Sequence, residues 1–367
     1  MNDRKNSVII ESYGCTSAAG PSVEDFWLGL CEGRDHSSPD PMGVRVCKWK
    51  ETADSAGDDL NRQLLLAWEQ CLTGLGMDSL KRVHDRLGVI FASTKGLTDD
   101  YVWSGMPVAI DPLAPVLRAF LDSAKLRPAR QICVSNACAS SLAALFLAER
   151  WLAKGAADTV LIIAADTIGP FVTRGFSALK ALAPAKARPF DRNRQGFYLG
   201  DAACALLVSR GDARGAGGVQ VGGVALDSEG FAVTRPSAGG ESLARACSKI
   251  KDRPDLIIAH GTATPANDQI EDRVFGELYK APITSTKWSI GHTLGASGAM
   301  DMIAACEVIK RETVFTLANT TEVDPTFKSE ILSKGPARKF SGANILVSSL
   351  GFGGTHGAAL LKRRTFL

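Results

Sequence analysis

Short apolar runs punctuate the chain at Ser7 to Glu11, Leu87 to Ala92, Gln131 to Ser135, Thr159 to Ala164, Leu256 to Ala259 and Asn344 to Ser349. Each has the length of a strand and is rich in Val, Ile, Leu or Ala. Between them lie stretches with apolar residues at helical spacing, such as Leu142, Leu145, Phe146 and Leu152, stopped by Gly155. Continuous apolar strands alternating with helices predict an α/β fold whose sheet is covered on both faces.

The strongest break in this pattern is SRGDARGAGG, residues 209–218, Gly-rich and polar between two apolar segments. It predicts a surface connection and divides the chain into residues 1–210 and 219–367. The two parts end alike. Gly200-Asp-Ala-Ala-Cys-Ala-Leu-Leu-Val208 aligns with Gly354-Thr-His-Gly-Ala-Ala-Leu-Leu-Lys362, with Gly, Ala, Leu and Leu at identical offsets. Each part also holds an apolar run, a small-residue turn and a long apolar helix, at residues 133–154 and 285–310. An internal duplication is therefore expected. Residues 36–60 are polar with Pro and Gly, and are expected to leave the core.

Composition narrows the function classes. A chain of 367 residues suggests about two domains, or one large two-part fold. Net charge is only +3, which gives no argument for nucleic acid or a membrane surface. No apolar run approaches the roughly 18 residues of a membrane span. The N-terminal stretch MNDRKNSVII lacks the apolar core of a secretory signal. Nine scattered cysteines with no CxxC pair argue against a disulfide framework and a zinc cluster, leaving a reducing cytoplasm as the default.

Three segments carry candidate chemistry. Cys138 sits in VSNACASSL, where a strand ends and a helix begins. There the helix dipole and free N–H groups favour a thiolate and can hold an oxyanion. The same segment is equally compatible with a small buried core cysteine. His260 follows the apolar run LIIA directly, at the strand end that faces the ligand crevice of α/β sheets. His292 lies in a Gly-bounded turn before a helix, five residues after Lys287. His36 and His84 lie in polar surroundings and are expected at the surface. The third segment, LGFGGTHG, has Gly351, Gly353, Gly354 and Gly357, which allow backbone N–H groups close to a substrate or simply a tight turn. No phosphate-binding or dinucleotide fingerprint is present.

Taken together, these segments resemble the β-ketoacyl-acyl-carrier-protein synthases, condensing enzymes of the thiolase superfamily. ACASS around Cys138, RPFDRNRQGFYLGD at 188–201, AHGTATPANDQIE, STKWSIGHTLGASGAMD and LGFGGTH match the family's motifs in order. The resemblance spans nearly the whole chain. It implies a thiolase-like fold, with two pseudo-duplicated βαβ halves in a five-layer α-β-α-β-α arrangement. One half would carry the nucleophilic Cys and the other the two His. Two histidines, in HGT and GH, resemble the elongating Cys-His-His type rather than the Cys-His-Asn starter type. A thiolase needs a second reactive cysteine near the C-terminus, and none follows Cys306.

The resemblance implies roles residue by residue. Cys138 would accept the acyl group. His260 and His292 would assist decarboxylation of a malonyl unit, and Lys287 would set their charge state. Phe352 would gate the site, and its N–H with that of Cys138 would form the oxyanion hole. Thr262, Gly353 and Asp301 would support them. Asp301 stands where the family usually has Glu. One methylene shorter, it is expected to need a water or a shifted helix to reach the lysine and histidines. Asp201, Asn267 and His356 stand where Glu, Gly and Asn are usual, and the chain is shortened before Leu87 and after Gly169.

The implied reaction is a decarboxylative Claisen condensation between acyl-Cys138 and malonyl on an acyl carrier protein, in fatty acid or polyketide and polyene synthesis. It needs no cofactor and no metal. The alternatives are a chain-length-factor-like partner subunit and a non-decarboxylating acyltransferase on the same fold. An acidic carrier protein would dock on Arg127, Arg130, Lys186, Arg188, Arg192 and Arg194. The family further implies a homodimer, or a heterodimer with a second ketosynthase-like chain.

Overall fold

A computed structural model of the chain describes residues 7–49, 56–75, 86–103, 111–211, 218–234 and 236–364. His84 and most of the 209–218 connection fall outside these residues. Ten strands form one mixed sheet. They are β1 (Val8–Ser17), β2 (Leu87–Ala92), β3 (Arg130–Val134), β4 (Thr159–Asp166), β5 (Ala202–Arg210), β6 (Val219–Ser228), β7 (Leu256–Ile258), β8 (Ile283–Thr284), β9 (Asn344–Leu350) and β10 (Thr355–Lys362). Their spatial order is β8-β7-β9-β10-β6-β1-β5-β4-β2-β3.

That order is the same pattern written twice. From the centre outward, one half runs β1-β5-β4-β2-β3 and the other β6-β10-β9-β7-β8. In each half the three outer strands are parallel and the inner contacts antiparallel. The halves join where Val8 to Ile10 pair with Val219 to Val221. The strands β5 and β10, whose sequences align, occupy equivalent places, so the expected duplication is present in the topology. The sheet is continuous across the junction.

Among the described residues, eight helices of eight or more residues dress this sheet: α1 (Val23–Cys31), α2 (Ala56–Thr73), α3 (Ala114–Ser123), α4 (Ser140–Ala153), α5 (Pro170–Ala178), α6 (Glu241–Ser248), α7 (Pro265–Leu278) and α8 (Ser297–Arg311). Helix α4 packs on β2 and β4 of one half and on β6 and β10 of the other. Helix α8 likewise touches β9 and β10, and β1 and β5. These two are the central layer. Helix α2, with α3 against it, covers the outer face of β1 and β5, while α6, with α7 beside it, covers β6 and β10. The five expected layers are thereby filled. Sequence explains the placement. Leu142, Ala144, Leu145, Ala148 and Leu152 of α4 are fully buried, and α8 is buried from Ser297 to Ile309. A helix apolar on every side has to lie between two sheets.

Two expectations change. Residues 36–60 do not all leave the core. Arg45–Cys47 pairs with Leu199–Gly200 in a small sheet, and Val46, Cys47 and Trp49 are buried. Residues 50–55 of this stretch lie outside the described residues, and Ala56 opens a helix. His36 is half-buried, not on the surface: its N–H donates to the Ser289 carbonyl at 2.9 Å and its ring packs against Gly29.

The seam between halves depends on close backbone approach. A Cβ on Gly295 would stand 2.6 Å from the Thr94 nitrogen and 2.8 Å from an Asp166 oxygen. Gly295→Ala is expected to destabilise the protein by about 1–3 kcal/mol, the usual range for overpacking. Denaturant unfolding at constant m-value checks this, and an unchanged midpoint would show that the seam is looser than the geometry requires.

Candidate active site

The outer strands of each half end on the same side of the junction, and their following turns converge. The turn after β3 carries Cys138, the turn after β7 carries His260, and the segment after β8 carries Lys287 and His292. The β9–β10 turn carries Phe352 and, at its far end, His356.

The Cys138 turn is made by small residues. Ala137 sits at φ 45°, a left-handed conformation that a bulkier side chain tolerates poorly. Ser140 locks the turn, accepting from the Asn136 N–H at 2.8 Å and donating to the Ala137 carbonyl at 2.7 Å. Ser349 Oγ donates to the Cys138 carbonyl at 2.8 Å, tying the turn to the other half. The thiol is 5% exposed. Burial pushes it up to about 11, against the pull of the Phe352 N–H, the Lys287 charge and its own N–H. The dipole argument from sequence is thus outweighed by desolvation in the resting site.

His292 Nε2 lies 3.0 Å from Cys138 Sγ. Its Nδ1 accepts the Leu294 N–H at 3.2 Å. With Nδ1 occupied by a donor, the neutral ring carries its proton on Nε2 and offers it toward the sulfur. The His260 ring meets His292 edge to face, centroids 5.0 Å apart at 87°. Both imidazoles are held well below the usual histidine value, first by burial and then by the Lys287 charge. They are neutral N–H donors at pH 7.

Lys287 Nζ bonds Asp301 Oδ2 at 2.8 Å, and both side chains are 1% exposed. Thr286 Oγ1 donates to the other carboxylate oxygen at 2.5 Å. The expectation that the shorter Asp301 needs a bridging water is therefore corrected: the contact is direct. Asp301 sits four residues into α8, directly opposite Lys287, and one methylene fewer still reaches.

His260 is aimed through its backbone. Glu271, buried in α7, accepts the N–H groups of His260 and Gly261 at 2.8 and 2.7 Å and the Ser348 hydroxyl at 2.7 Å. Its carboxyl is pushed up by burial. Asp268 accepts from Phe190 and Ala263, and burial pushes it up to about 8. Asp166 accepts from Ser93 Oγ and the Thr94 and Gly295 N–H groups at 2.7 to 2.8 Å. Sequence reasoning did not single out these three carboxylates. One signal was available: Asp268 and Glu271 fall on the same stripe of α7 as buried Phe275, at i, i+3 and i+7, where acids are otherwise rare.

A pocket of about 320 Å³ opens onto Cys138, His260, His292, Thr262, Phe352 and His356. Phe352 stacks on Phe176, Phe176 on Phe197, and Phe197 on His292, with centroids 5.3 to 5.5 Å apart. Thr262 receives a hydrogen bond from Asn267 at 3.0 Å. Gly353 donates to the Val233 carbonyl at 2.7 Å. Gly354 has φ +79°, and a Cβ there would lie 2.3 Å from the Glu229 carbonyl. Asp201 accepts the Trp49 and Ile168 N–H groups and is pushed up to about 6 by burial, so this departure is a backbone brace outside the pocket.

Cys138, His260 and His292 are the group of metal-capable side chains that converges among the described residues, all within 4.8 Å. Tetrahedral ligands at 2.0–2.3 Å from zinc stand about 3.5 Å apart. The 3.0 Å Sγ–Nε2 contact is shorter, and with Nε2 as donor no lone pair faces a metal. The geometry fits a hydrogen-bonded cluster. The docking surface is also revised. The Arg194 side chain is 7% exposed, bonded to Asp324 at 2.7 Å and stacked on Phe327, so it is an internal brace. Arg192 and Arg127 remain exposed, paired with Glu322 and Asp122. No helix among the described residues is long and apolar enough to cross a membrane.

Known proteins are similar to this chain in sequence and fold. Residues 48–213 match the β-ketoacyl synthase N-terminal domain and residues 220–321 the C-terminal domain. The tetracenomycin polyketide synthase ketoacyl synthase alpha subunit of Streptomyces glaucescens is 34% identical over 97% of each chain. The 3-oxoacyl-[acyl-carrier-protein] synthase 2 of Coxiella burnetii is 26% identical over 98% of this chain and 99% of its own. The ishigamide ketosynthase/chain length factor structure superposes with a TM-score of 0.86 at 23% identity, covering 98% of this chain and all of the other.

Lys287→Met would remove the charge that opposes imidazole protonation. The pKa values of His260 and His292 are expected to rise. Asp301, left unpaired and buried, would cost about 3–5 kcal/mol or take up a proton. Histidine NMR titration beside the parent protein checks the direction; unmoved resonances would separate Lys287 from the imidazoles.

Proposed function

The chain belongs to the β-ketoacyl synthase family, acyl-transferring condensing enzymes of fatty acid and polyketide synthesis, and on that premise we propose that it is an elongating synthase working through Cys138, His260 and His292. The observation that carries this reading is the 3.0 Å contact between Cys138 Sγ and a His292 ring whose tautomer is fixed as a donor. Cys138 Sγ attacks the acyl thioester of a carrier protein, a new C–S bond forms, and the carrier thiol leaves. The carbonyl oxygen takes up negative charge against the N–H groups of Cys138 and Phe352. A malonyl thioester then enters and loses CO₂. The resulting enolate oxygen is met by the two imidazole N–H donors, which burial and Lys287 keep neutral. The enolate carbon attacks acyl-Cys138, and collapse of that adduct releases the sulfur and the extended β-ketoacyl carrier. Thr262 and Gly353 shape the passage, and Phe352 is its gate.

The same proposal divides the chain into a Cys-bearing half, 1–210, and a His-bearing half, 219–367. Strand β5 ends at Arg210 and β6 begins at Val219, which supports that division. The partner is an acyl carrier protein. The chain is assigned to a dimer, with itself or with a second ketosynthase-like chain. The open sheet edge at β3 supports this, with Ile132 41% exposed on it. A cytoplasmic setting is supported by nine unpaired cysteines.

Intact-protein mass spectrometry after mixing with acyl-carrier protein tests the nucleophile. The parent chain is expected to gain the acyl mass and lose it to malonyl-carrier protein as extended product appears. Cys138→Ala is expected to show no acyl adduct; an adduct that persists sinks the assignment. His260→Ala or His292→Ala should lower CO₂ release by about 10²–10³-fold, the effect of losing one oxyanion donor.

Ile132→Asp places a charge on the open edge. Sedimentation is expected to show a shift from dimer to monomer. An unchanged sedimentation coefficient would move the interface elsewhere.

A further inference from the structure

Two turns have to meet for Cys138 Sγ and His292 Nε2 to stand 3.0 Å apart, and each is strained beside its functional residue. Ala137 sits at φ 45° and Leu294 at φ 50°, left-handed conformations that residues other than glycine rarely adopt. Such geometry persists only where its surroundings fix it. One buried carboxylate reaches both turns. Asp166, at the end of β4 and 1% exposed, receives the Ser93 hydroxyl at 2.7 Å and the Lys95 N–H at 3.3 Å on Oδ1. Its Oδ2 receives the Thr94 and Gly295 N–H groups, each at 2.8 Å. Ser93 Oγ itself accepts the Gly96 N–H at 2.9 Å, which leaves its proton for Asp166. With two donors on each oxygen no place is left for a proton, and the carboxyl is ionised. Burial works to raise it, and the Lys95 charge and these donors work against that.

From Asp166 the bonds run in two directions. On one side the Ser93 N–H donates to the Val134 carbonyl at 3.1 Å, the Ser135 hydroxyl to the Thr94 carbonyl at 3.1 Å and the Thr94 hydroxyl to the Ala137 carbonyl at 3.3 Å. These brace the chain up to the residue before Cys138. On the other side Gly295 follows Leu294, whose N–H meets His292 Nδ1 at 3.2 Å and fixes that ring as a donor. The Gly295 carbonyl accepts the hydroxyl of Ser141, three residues after Cys138. We propose that Asp166 is a positioning residue for acyl transfer, holding the Cys138 turn and the His292 turn in one register across the seam. It is not among the residues that line the pocket, so it acts through the two turns. An amide in its place would turn its NH₂ group toward a backbone N–H whichever way it faced, and could not hold all four donors. The charge carries a second consequence. The charged and titratable groups facing the Cys138 thiol are Lys287, Asp166 and His292, with His260 against His292. Lys287 favours the thiolate and Asp166 opposes it. Loss of the Asp166 charge therefore makes the thiol easier to ionise, while loss of its bonds makes the thiol slower to acylate.

This inference rests on Cys138 being the acyl acceptor, and the test separates the two. The full chain, Asp166→Asn and Ser93→Ala are acylated at neutral pH with the hexanoyl thioester of N-acetylcysteamine. Adducts are read on the Cys138 peptide. Iodoacetamide alkylation of the same peptide against pH reports thiol ionisation without any acyl chemistry. Side-chain nitrogen NMR reports the His292 tautomer. The parent is expected to show one His292 tautomer, with the proton on Nε2, and a thiol that ionises near about 11. Asp166→Asn is expected to be acylated about 10²-fold more slowly, the effect of a misplacement of about 1 Å. Its alkylation midpoint is expected to fall below the parent's, and its His292 to populate both tautomers. Ser93→Ala removes one bond and keeps the charge, so its acylation is expected to slow several-fold with the alkylation midpoint unmoved. A carboxylate that served stability alone would lower the folded fraction and leave the folded protein's tautomer and acylation rate at the parent values. Either value unchanged in folded Asp166→Asn overturns the proposal. If Asp166→Asn does not fold, Ser93→Ala decides alone, and acylation at the parent rate overturns it. If no form is acylated, the acyl-acceptor reading fails while the His292 tautomer still decides this one.

Discussion

Everything in the pocket is organised around one buried ion pair. Lys287 and Asp301 are each 1% exposed and 2.8 Å apart. A lone ammonium at that depth would be strongly disfavoured, and a lone carboxylate would hold its proton. Together they keep a positive charge where water cannot screen it. Its effect falls on its neighbours: two imidazoles are kept from protonating, and the Cys138 thiol is drawn part of the way down from its buried value. A reaction that builds negative charge on an oxygen needs donors that arrive already oriented and do not first have to lose a proton. Such a pair supplies that condition by electrostatics, without touching the substrate.

The duplication explains how those groups come together. Strands β3 and β8 hold equivalent places in the two halves, and so do β2 and β7. The turn after β3 presents Cys138, and its counterpart region after β8 presents Lys287 and His292. The turn after β2 presents Ser93 and Thr94, which bind Asp166, while the turn after β7 presents His260. The repeated topology aims two sets of loops at a common seam, one bearing Cys138 and the other His260, Lys287 and His292. The central helices α4 and α8 lie across the seam, which is why most of α4 and all of Ser297–Ile309 in α8 are buried.

Much of this was legible in the sequence because it lies in turns with strong local signatures. A small-residue turn before a helix marked Cys138, an apolar run ending in His-Gly-Thr marked His260, and glycines on both sides marked the His292 turn. What stayed hidden depends on depth, which local pattern does not encode. The helix position of Cys138 points to a thiolate, but complete burial overrides it in the resting site. The shorter Asp301 was expected to need a water or a shifted helix to reach Lys287, because side-chain length is visible in a sequence and the distance between two backbones is not. Asp166, Asp268 and Glu271 were not singled out, because only the fold places them under backbone N–H groups. Val46, Cys47 and Trp49 looked like an excursion because their neighbours are polar.

The pocket is also electrostatically divided, and the division follows the fold. On the β8 and α8 side burial, and after it a buried lysine, keeps two imidazoles neutral. On the β6 and β10 side the third imidazole, His356, faces Glu229, a carboxylate held ionised by a backbone N–H and two serine hydroxyls. Three rings of one residue type, each no more than 2% exposed, thus stand beside charges of opposite sign in one cavity. Burial alone would treat them alike; what separates them is the wall of the fold on which each stands.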